Sequence, residues 1–123
     1  MQLKRIRGLP EGFIWLSKNR EILKCGPVRK QRFARPGDKE RIFYLCNDIL
    51  IYCTSNNCFK GVFHCTRLAV RNLPDSMCQF VLISLTARSD EVRYTITADS
   101  PIEKQDWLQK FHTAYVVLVN IIF

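Results

Sequence analysis

The chain has 123 residues, a length that suits one domain with a core large enough to fold unaided. Its hydrophobic fraction of 47% and charged fraction of 24% are ordinary for a soluble globular protein and exclude a chain that is disordered by composition. Residues 1–41 hold 12 of the 19 Lys and Arg residues but only 4 of the 11 Asp and Glu residues, so this segment accounts for the whole formal charge of +8. Such an uneven charge indicates an anionic partner, a phospholipid headgroup or nucleic acid, or with equal weight a basic surface that only aids solubility.

Six cysteines are present, but neither a secretory signal nor an N-glycosylation sequon accompanies them, which favours an intracellular chain with free thiols. Cys53, Cys58 and Cys65 are separated by four and six residues and no CxxC pair occurs, so a zinc site is not expected. Four thiols lie inside apolar runs, where a free thiol acts as a small hydrophobic group. They are Cys46, Cys53, Cys65 and Cys78. We therefore expect core thiols, with no metal and no cofactor.

The first part of the chain mixes basic and apolar side chains, and Gly8, Pro10 and Gly12 break any long helix. Residues 1–20 are therefore expected to be a linker with an apolar anchor, or the end of an upstream unit. A strand is predicted over residues 21–31, in which the Gly-Pro pair marks a bulge or an edge position. Residues 33–39 are a predicted loop, since they contain the strong turn sequence Pro-Gly-Asp.

Two short aromatic and β-branched runs, residues 41–46 and 49–53, are joined by Asn47 and Asp48, which is a hairpin signal. Further strands are predicted where apolar runs lie between turn residues. In the last of them, residues 92–98, apolar side chains alternate with polar ones, so one face is buried and the other is wet. The other predicted strands cover residues 61–67, 68–70 and 78–86.

The pattern changes at Ser100, where a helix is predicted to begin. Ser100 is placed to cap the helix, Pro101 takes the first helical position and Glu103 the third. Apolar side chains then recur at helical spacing, which predicts an amphipathic helix over about residues 101–119. Its predicted core face carries Trp107, Phe111, Ala114 and Leu118, and its predicted outward face carries Lys104, Gln105, Asp106, Gln109 and Lys110. The apolar ending, residues 114–123, is too short to span a bilayer.

Several short strands followed by one helix cannot form a parallel sheet of strand–helix–strand units. The chain is instead predicted to be mostly β: an antiparallel β-sandwich or partly open barrel, capped by one C-terminal α-helix. The helix must then cover an apolar face or the open end of the sandwich. Trp107 is the predicted plug, because a large ring buries the most apolar area, and Phe111 follows it one turn later.

The order of these elements, with a Trp early in a terminal helix, resembles the pleckstrin-homology (PH) domain over about residues 21–115. Residues 40–53 (ERIFYLCNDILIYC) are similar to the R-x-x-F-L-F-N-D-x-L-L-x-C pattern of PH domains in Dbl-type Rho guanine nucleotide exchange factors, the facio-genital-dysplasia type most of all. Residues 19–30 (NREILKCGPVRK) resemble the start of the same domains. Tyr44 and Cys46 depart from the pattern, which prefers Leu and Phe at these positions.

This resemblance implies a PH domain over residues 21–123, preceded in residues 1–20 by a linker or the tail of an upstream Dbl-homology (DH) domain. The helices of a catalytic DH domain need far more than these few residues, so exchange activity is not carried over and no enzyme is expected. The implied role is cytoplasmic and peripheral to a membrane. It consists of binding anionic phospholipid headgroups, phosphoinositides above all, and of targeting or regulating the adjacent exchange domain. A Rho-family GTPase and the DH domain are the implied protein partners.

Many phosphoinositide-binding members of the family carry a Lys near the end of the first strand and (K/R)-x-R at the start of the second. Lys30 and the run Lys39-Glu40-Arg41 match that spacing. The resemblance therefore implies that Lys30, Lys39 and Arg41 contact phosphate, for which Arg forks and Lys point charges are suited. Around them, we expect Arg29, Arg32 and Arg35 to raise the local potential and Phe33 to dip into the lipid interface. Weak binding to an anionic membrane is favoured over headgroup-specific recognition.

Other interpretations of the same residues stay open at this point. A K-x-R pattern carries little information in so basic a segment, and alternating charges also protect an exposed edge strand from aggregation. A protein-interaction module that binds a small GTPase or a neighbouring domain, without lipid binding, is the alternative function. Nucleic acid is not expected as a partner, because the aromatic residues within 41–52 are typical of a strand core rather than of an exposed stacking platform. His64 and His112 stand in no catalytic motif.

Overall fold

A computed structural model describes residues 5–10 and 20–119 of the chain. The predicted linker over residues 1–20 therefore lies largely outside the described residues, as does the end of the apolar tail beyond residue 119. The described elements run in the order of seven strands, one helix and a short final strand. They are β1 (Ile22–Arg32), β2 (Lys39–Cys46), β3 (Ile49–Thr54), β4 (Phe59–His64), β5 (Leu68–Asn72), β6 (Gln79–Leu85), β7 (Glu91–Thr97), α1 (Pro101–Thr113) and β8 (Val117–Val119).

The strands form one sheet in the order β4-β3-β2-β1-β7-β6-β5-β8. Every neighbouring pair is antiparallel except β5 with β8, which is parallel. Strand β1 joins the two halves: it pairs with β2 from Ile22 to Lys30 and with β7 only from Arg29 to Arg32. Its Gly-Pro pair thus lies where β1 has a neighbour on one side only, which confirms the edge position predicted for these residues.

Both halves of the sheet contribute to one core, so the sheet folds back on itself. Phe43 of β2 and Phe80 of β6 are fully buried in the same cluster, together with Trp107 and Phe111 of the helix. The ring centroids of Phe43 and Trp107 are 5.8 Å apart in an edge-to-face arrangement, and those of Phe80 and Phe111 are 5.9 Å apart. These are the distances and angles that aromatic pairs prefer. The predicted mostly-β sandwich, closed by a helix that inserts Trp107 and Phe111, is confirmed.

The hairpin between β2 and β3 forms at the predicted Asn-Asp turn, with Leu45 opposite Leu50. Asp48 also makes a contact that turn chemistry does not predict. Its carboxylate accepts two hydrogen bonds from the guanidinium of Arg20, at 2.8 and 2.5 Å. This contact holds the pKa of Asp48 below its usual range. The chain entering β1 is therefore fastened to the β2–β3 turn.

The helix begins as predicted and ends earlier than predicted. Ser100 Oγ accepts a hydrogen bond from the backbone N–H of Glu103 at 3.1 Å, and Pro101 occupies the first turn. The predicted continuation to about residue 119 is wrong, since α1 ends at Thr113 and Tyr115 takes a left-handed φ of 60°. Among the described residues no helix has the length and apolar character needed to cross a bilayer.

The residues after the helix form strand β8 because valine, which is β-branched, predominates among them and because they meet an open sheet edge. Val116 is buried in the core, its N–H bonded to the carbonyl of Phe111 at 3.0 Å, and Val117–Val119 then pair with β5. β-branched side chains favour strands, and the outer edge of β5 offers unpaired backbone groups. Leu118 therefore lies in a strand and not on the core face of a helix.

The predicted outward position of Lys104 is also wrong. Only 2% of the residue is exposed, and its Nζ donates hydrogen bonds to the carbonyl oxygens of Leu73 at 2.8 Å and Ser76 at 2.5 Å. Helical periodicity placed this residue among polar neighbours, but the turn between β5 and β6 lies against that side of the helix. A buried ammonium group is tolerated here because its donors are paired with carbonyl groups.

A second apolar cluster lies on the outer face of β2 and β3 and includes Tyr44 and Ile51. Ile6 covers it and is itself buried, and the backbone beside it is fixed to the β3–β4 turn. The N–H of Arg7 donates to the carbonyl of Asn57 at 2.9 Å, and the N–H of Phe59 donates to the carbonyl of Arg7 at 2.8 Å. The described part of the predicted linker is therefore packed on the domain by an apolar anchor.

All six cysteines are free, and their environments differ. Burial raises the pKa of Cys46 and Cys65 to about 12 and that of Cys53 to about 11. These three thiols are buried as predicted, whereas Cys78 is only half-buried.

We expect a water-soluble disulfide reagent to modify Cys25 first, because it is exposed, and to leave the three buried thiols unmodified until the protein unfolds. Peptide mass spectrometry after timed labelling measures the order of reaction. Equal labelling of Cys46 and Cys25 under native conditions would contradict this assignment of the core.

Candidate anion-binding site

The β1–β2 hairpin brings basic side chains onto one face by strand alternation. Lys30 lies directly opposite Lys39 in the register, so both side chains point to the same side of the sheet. Residues two positions further along each strand share that face, which adds Arg32 on β1 and Arg41 on β2. Four cationic side chains therefore converge at the end of the hairpin.

The connecting loop, residues 33–38, turns back sharply over this face. Ala34 and Gly37 take left-handed φ values of 65° and 79°, and the side-chain amide of Gln31 donates to the carbonyl of Arg35 at 3.2 Å. The loop and the two strands together enclose an open cleft of about 280 Å³. The described residues contribute no carboxylate to its lining, which consists of Lys30, Arg32, Arg35, Pro36, Gly37, Lys39, Arg41 and Tyr94.

Lys30 is the half-buried residue at the base of the cleft. Its Nζ lies 4.3 Å from the ring centroid of Tyr52 and 4.4 Å from that of Tyr94. Burial lowers the pKa of Lys30 to about 8, and the neighbouring charges of Arg41, Lys39, Arg32 and Lys60 act in the same direction. The cationic neighbours of Lys30 are therefore close enough to lower its pKa. A group of positive charges this dense attracts anions strongly.

Arg41 supplies a further hydrogen-bond donor beside the cleft. Its Nη1 donates to the carbonyl of Glu40 at 2.9 Å, but its buried Nε has no hydrogen-bond partner among the described residues. Buried donors are nearly always paired. A phosphate oxygen in the cleft would be a suitable acceptor, since Arg presents several donors to one oxyanion.

Of the predicted phosphate ligands, the structure brings together Lys30, Arg32, Arg35, Lys39 and Arg41. Arg29 is not among them because it occupies the opposite face of β1. Its guanidinium is paired with Asp38 at 2.7 and 2.9 Å and with Glu40 at 3.2 Å. These contacts lower the pKa of Asp38 and leave Arg29 away from the cleft. Because side chains alternate between the two faces of a strand, the sequence pattern of β1 could have placed Arg29 and Lys30 on opposite faces.

Phe33 directly follows β1 at the start of the loop and does not line the cleft, and 73% of the residue is exposed. Its backbone N–H donates to the carbonyl of Arg93 at 2.9 Å, so the loop is held to β7 while the ring remains in solvent. A large exposed ring next to a basic cleft is the arrangement expected of a side chain that enters a lipid interface.

The sequence-based set omitted Tyr52 and Tyr94, which flank Lys30. Tyr94 was recognisable as lying on the inward face of an alternating strand, but its proximity to Lys30 depends on the β1–β7 pairing. Tyr52 lies opposite Gly61 of β4, and a Cβ atom at Gly61 would come within 2.6 Å of the Cζ atom of Tyr52. The glycine thus leaves room for the Tyr52 ring to lie across β4, stacked on Phe63 at 4.9 Å.

Comparisons with known proteins agree with this architecture. The apo structure of an activated truncation of Vav1 is similar with a TM-score of 0.73 at 16% identity, over 92% of this chain and 30% of that chain. The complex of human RhoA with a DH/PH fragment of PDZ-RhoGEF gives 0.67 at 16% identity, over 77% of this chain and 28% of that chain. The DH/PH domains of p115-RhoGEF give 0.64 at 13% identity, over 77% and 30%.

At these identities the likeness shows a shared fold. The chain spans about 30% of the length of these neighbours. Among curated protein sequences, none matches it. The finer resemblance to the facio-genital-dysplasia type stays a prediction.

One family model does match, and it covers most of the chain. It is described as the SOS1/NGEF-like PH domain and aligns with residues 16–114, a range that contains all seven strands of the sandwich and the whole of α1. The chain therefore belongs to the SOS1/NGEF-like PH domain family.

Proposed function

We propose that the cleft of the β1–β2 hairpin binds the phosphate groups of anionic phospholipids, phosphoinositides among them, and docks the domain on the cytoplasmic surface of a membrane. The observation that carries this proposal is the convergence of five basic side chains on a cleft to which the described residues contribute no carboxylate. The buried, unpaired Nε of Arg41 adds a donor that lacks an acceptor among the described residues. Phe33 supplies an exposed apolar group next to Arg32, a residue of the cleft lining.

The shape of the cleft favours weak and broadly selective binding. It is open rather than deep, so a headgroup would stay partly in solvent and few contacts would distinguish one phosphate pattern from another. Each basic residue near an anionic surface contributes about 1 kcal/mol, so five of them supply roughly 5 kcal/mol. That energy corresponds to a membrane enrichment of roughly 10³- to 10⁴-fold. Docking of this strength suits a domain that acts together with another membrane or protein contact.

We expect Lys39→Glu/Arg41→Glu to weaken binding to phosphoinositide-containing liposomes by at least ~30-fold, because each reversal removes about 1 kcal/mol of attraction and adds repulsion. Co-sedimentation at two salt concentrations measures this, with plain anionic liposomes as the comparison. The matched control is Arg71→Glu/Arg88→Glu, which changes the net charge equally at two residues outside the cleft lining. Equal binding by the parent and the Lys39→Glu/Arg41→Glu variant would eliminate the site.

The role of the domain next to an exchange domain is the second part of the proposal. The similar structures include DH/PH fragments, one of them in complex with human RhoA, and the chain spans about 30% of their length. The packing of Ile6 and the fastening of Arg7 to the β3–β4 turn would hold an upstream unit in a fixed orientation. We therefore infer that the domain targets or regulates an adjacent exchange domain.

Salt dependence separates this reading from the alternative of a protein-interaction module. Lipid docking through exposed charges weakens steeply as salt rises, because screening acts on unburied pairs. Salt-insensitive binding to a GTPase or to a DH domain, with no binding to liposomes, would favour the alternative.

A further inference from the structure

Lys30 differs from the other partly buried lysines in how its amine is held. Lys24 is paired with Glu103 at 2.7 Å and with Asp106 at 2.6 Å, and Lys110 is paired with Asp106 at 3.0 Å. The structure gives Lys30 Nζ no carboxylate partner within salt-bridge distance among the described residues; its neighbours are two tyrosine rings. The amine of Lys30 is therefore open to a molecule that enters the cleft.

The charges around this amine favour its neutral form. Burial is the largest cause of the lowered pKa of Lys30, and the charges of Arg41, Lys39, Arg32 and Lys60 act in the same direction. The rings of Tyr52 and Tyr94, 4.3 and 4.4 Å from Nζ, act in the opposite direction, because cation–π attraction favours the charged amine. With a pKa of about 8, roughly a fifth of Lys30 side chains carry a nucleophilic lone pair at pH 7.4, against about one in a thousand for an ordinary lysine.

The same cations attract phosphate, so the cleft brings an anion site and a nucleophilic amine within one small volume. We propose that Lys30 is a covalent modification site for small phosphorylated aldehydes, whose phosphate is bound by Arg32, Lys39 and Arg41 while the aldehyde carbon reaches Lys30 Nζ. This inference rests on the anion cleft of the proposed function, and it requires no membrane. Tyr94 lines the cleft and favours an aldehyde that is itself aromatic, because such a ring can pack against it.

The reaction is an imine condensation. The lone pair of neutral Lys30 Nζ attacks the carbonyl carbon, the C–N bond forms, and the π electrons of the C=O bond move to oxygen. One proton passes from nitrogen to that oxygen and gives a carbinolamine. The second N–H proton then passes to the hydroxyl group, the C–O bond breaks with release of one water molecule, and the nitrogen lone pair forms the C=N bond. No oxidant or reductant is consumed, and hydrolysis reverses the reaction. Occupation of the cleft by the adduct blocks phospholipid binding while the adduct lasts.

Pyridoxal 5′-phosphate is a suitable probe, because it combines a phosphate, an aldehyde and an aromatic ring. We expect borohydride trapping followed by peptide mass spectrometry to find Lys30 labelled at least ~10-fold faster than Lys39 or Lys60. Pyridoxal lacks the phosphate, and 5′-deoxypyridoxal lacks it without closing to the internal hemiacetal that slows pyridoxal; each should label Lys30 at least ~10-fold more slowly than pyridoxal 5′-phosphate. The yield at Lys30 should rise between pH 6.5 and 9 with its midpoint near 8, since the neutral amine is the reacting form. Lys30→Arg keeps the charge and should remove the adduct.

Two results overturn the proposal: labelling of Lys39 or Lys60 as fast as that of Lys30, or equal labelling by pyridoxal and its phosphate. The comparison among lysines is made within one folded protein, so it does not depend on any variant being stable. A liposome assay on the same preparation distinguishes the two proposals. If Lys30 is labelled selectively but the protein does not bind liposomes, the modification site is upheld and membrane docking is refuted. If the protein binds liposomes but Lys30 is not labelled selectively, membrane docking is upheld and the modification site is refuted.

Discussion

Trp107→Ala is expected to lower the free energy of unfolding by about 3–5 kcal/mol, the usual cost of deleting a large buried ring. Trp107 is fully buried, packs edge-to-face on Phe43 and lies 6.1 Å from the ring of Phe111. Its Cζ2 atom would be 3.7 Å from a Cβ at Gly26, so the ring also contacts the β1 backbone closely. Its removal leaves a void between the helix and the half of the sheet that holds β1 and β2. Urea or thermal unfolding monitored by circular dichroism measures the loss.

Ile102→Ala is the matched control for this experiment. Ile102 lies on the same helix, but 82% of the residue is exposed, so its truncation should change the free energy of unfolding by less than about 0.5 kcal/mol. Trp107→Phe should lose less stability than Trp107→Ala, because a smaller ring keeps part of the contact with Phe43 and dispenses with an indole N–H that has no partner among the described residues. If Trp107→Ala unfolds at the same denaturant concentration as the parent, the helix does not close the sandwich through this residue.

The parts of the fold that were predictable from sequence are those specified by neighbouring residues. The Asn-Asp hairpin, the Ser100 cap and the alternation of β7 each depend on a few consecutive side chains, and each is present in the structure. Strand β8 depends on distant residues. A helix period continued through Leu118, but the left-handed Tyr115 and the open edge of β5 decided the outcome, and neither is visible in a local pattern. Tertiary pairing overrode helical periodicity at this point.

At the candidate site too, some features were predictable from neighbouring residues and others depended on distant ones. The resemblance to the family's spacing implied that Lys30, Lys39 and Arg41 share one site, and the register of β1 and β2 brings them to one cleft. The alternation of β1 was also sufficient to exclude Arg29, although composition alone grouped it with its neighbours. The tyrosine rings that enclose the amine of Lys30 required knowledge of which strands lie side by side. The basic character of this site can therefore be predicted from the sequence, whereas the surroundings of the Lys30 amine cannot.

Lys104→Met is expected to lower the free energy of unfolding by about 2–3 kcal/mol, since a buried carbonyl loses a charged hydrogen-bond donor while the volume of the side chain is kept. The Nζ of Lys104 connects α1 to the carbonyls of Leu73 and Ser76 in the turn between β5 and β6. Leu73 keeps one bond, from the N–H of Ser76 at 3.0 Å, so the carbonyl of Ser76 bears most of the loss. Denaturant unfolding gives the total change, and amide hydrogen exchange should show faster opening of this turn.

Gln105→Met is the matched control, because it makes a similar change one position along the helix at an exposed residue. It should leave both the unfolding midpoint and the exchange of the turn unchanged. The comparison separates two views of the buried ammonium group. If Lys104→Met is as stable as the parent, or more stable, the desolvation of the charge outweighs its two hydrogen bonds. If it is less stable, with the loss concentrated in the β5–β6 turn, the ammonium group fastens the helix to the second half of the sheet, as Trp107 fastens it to the first.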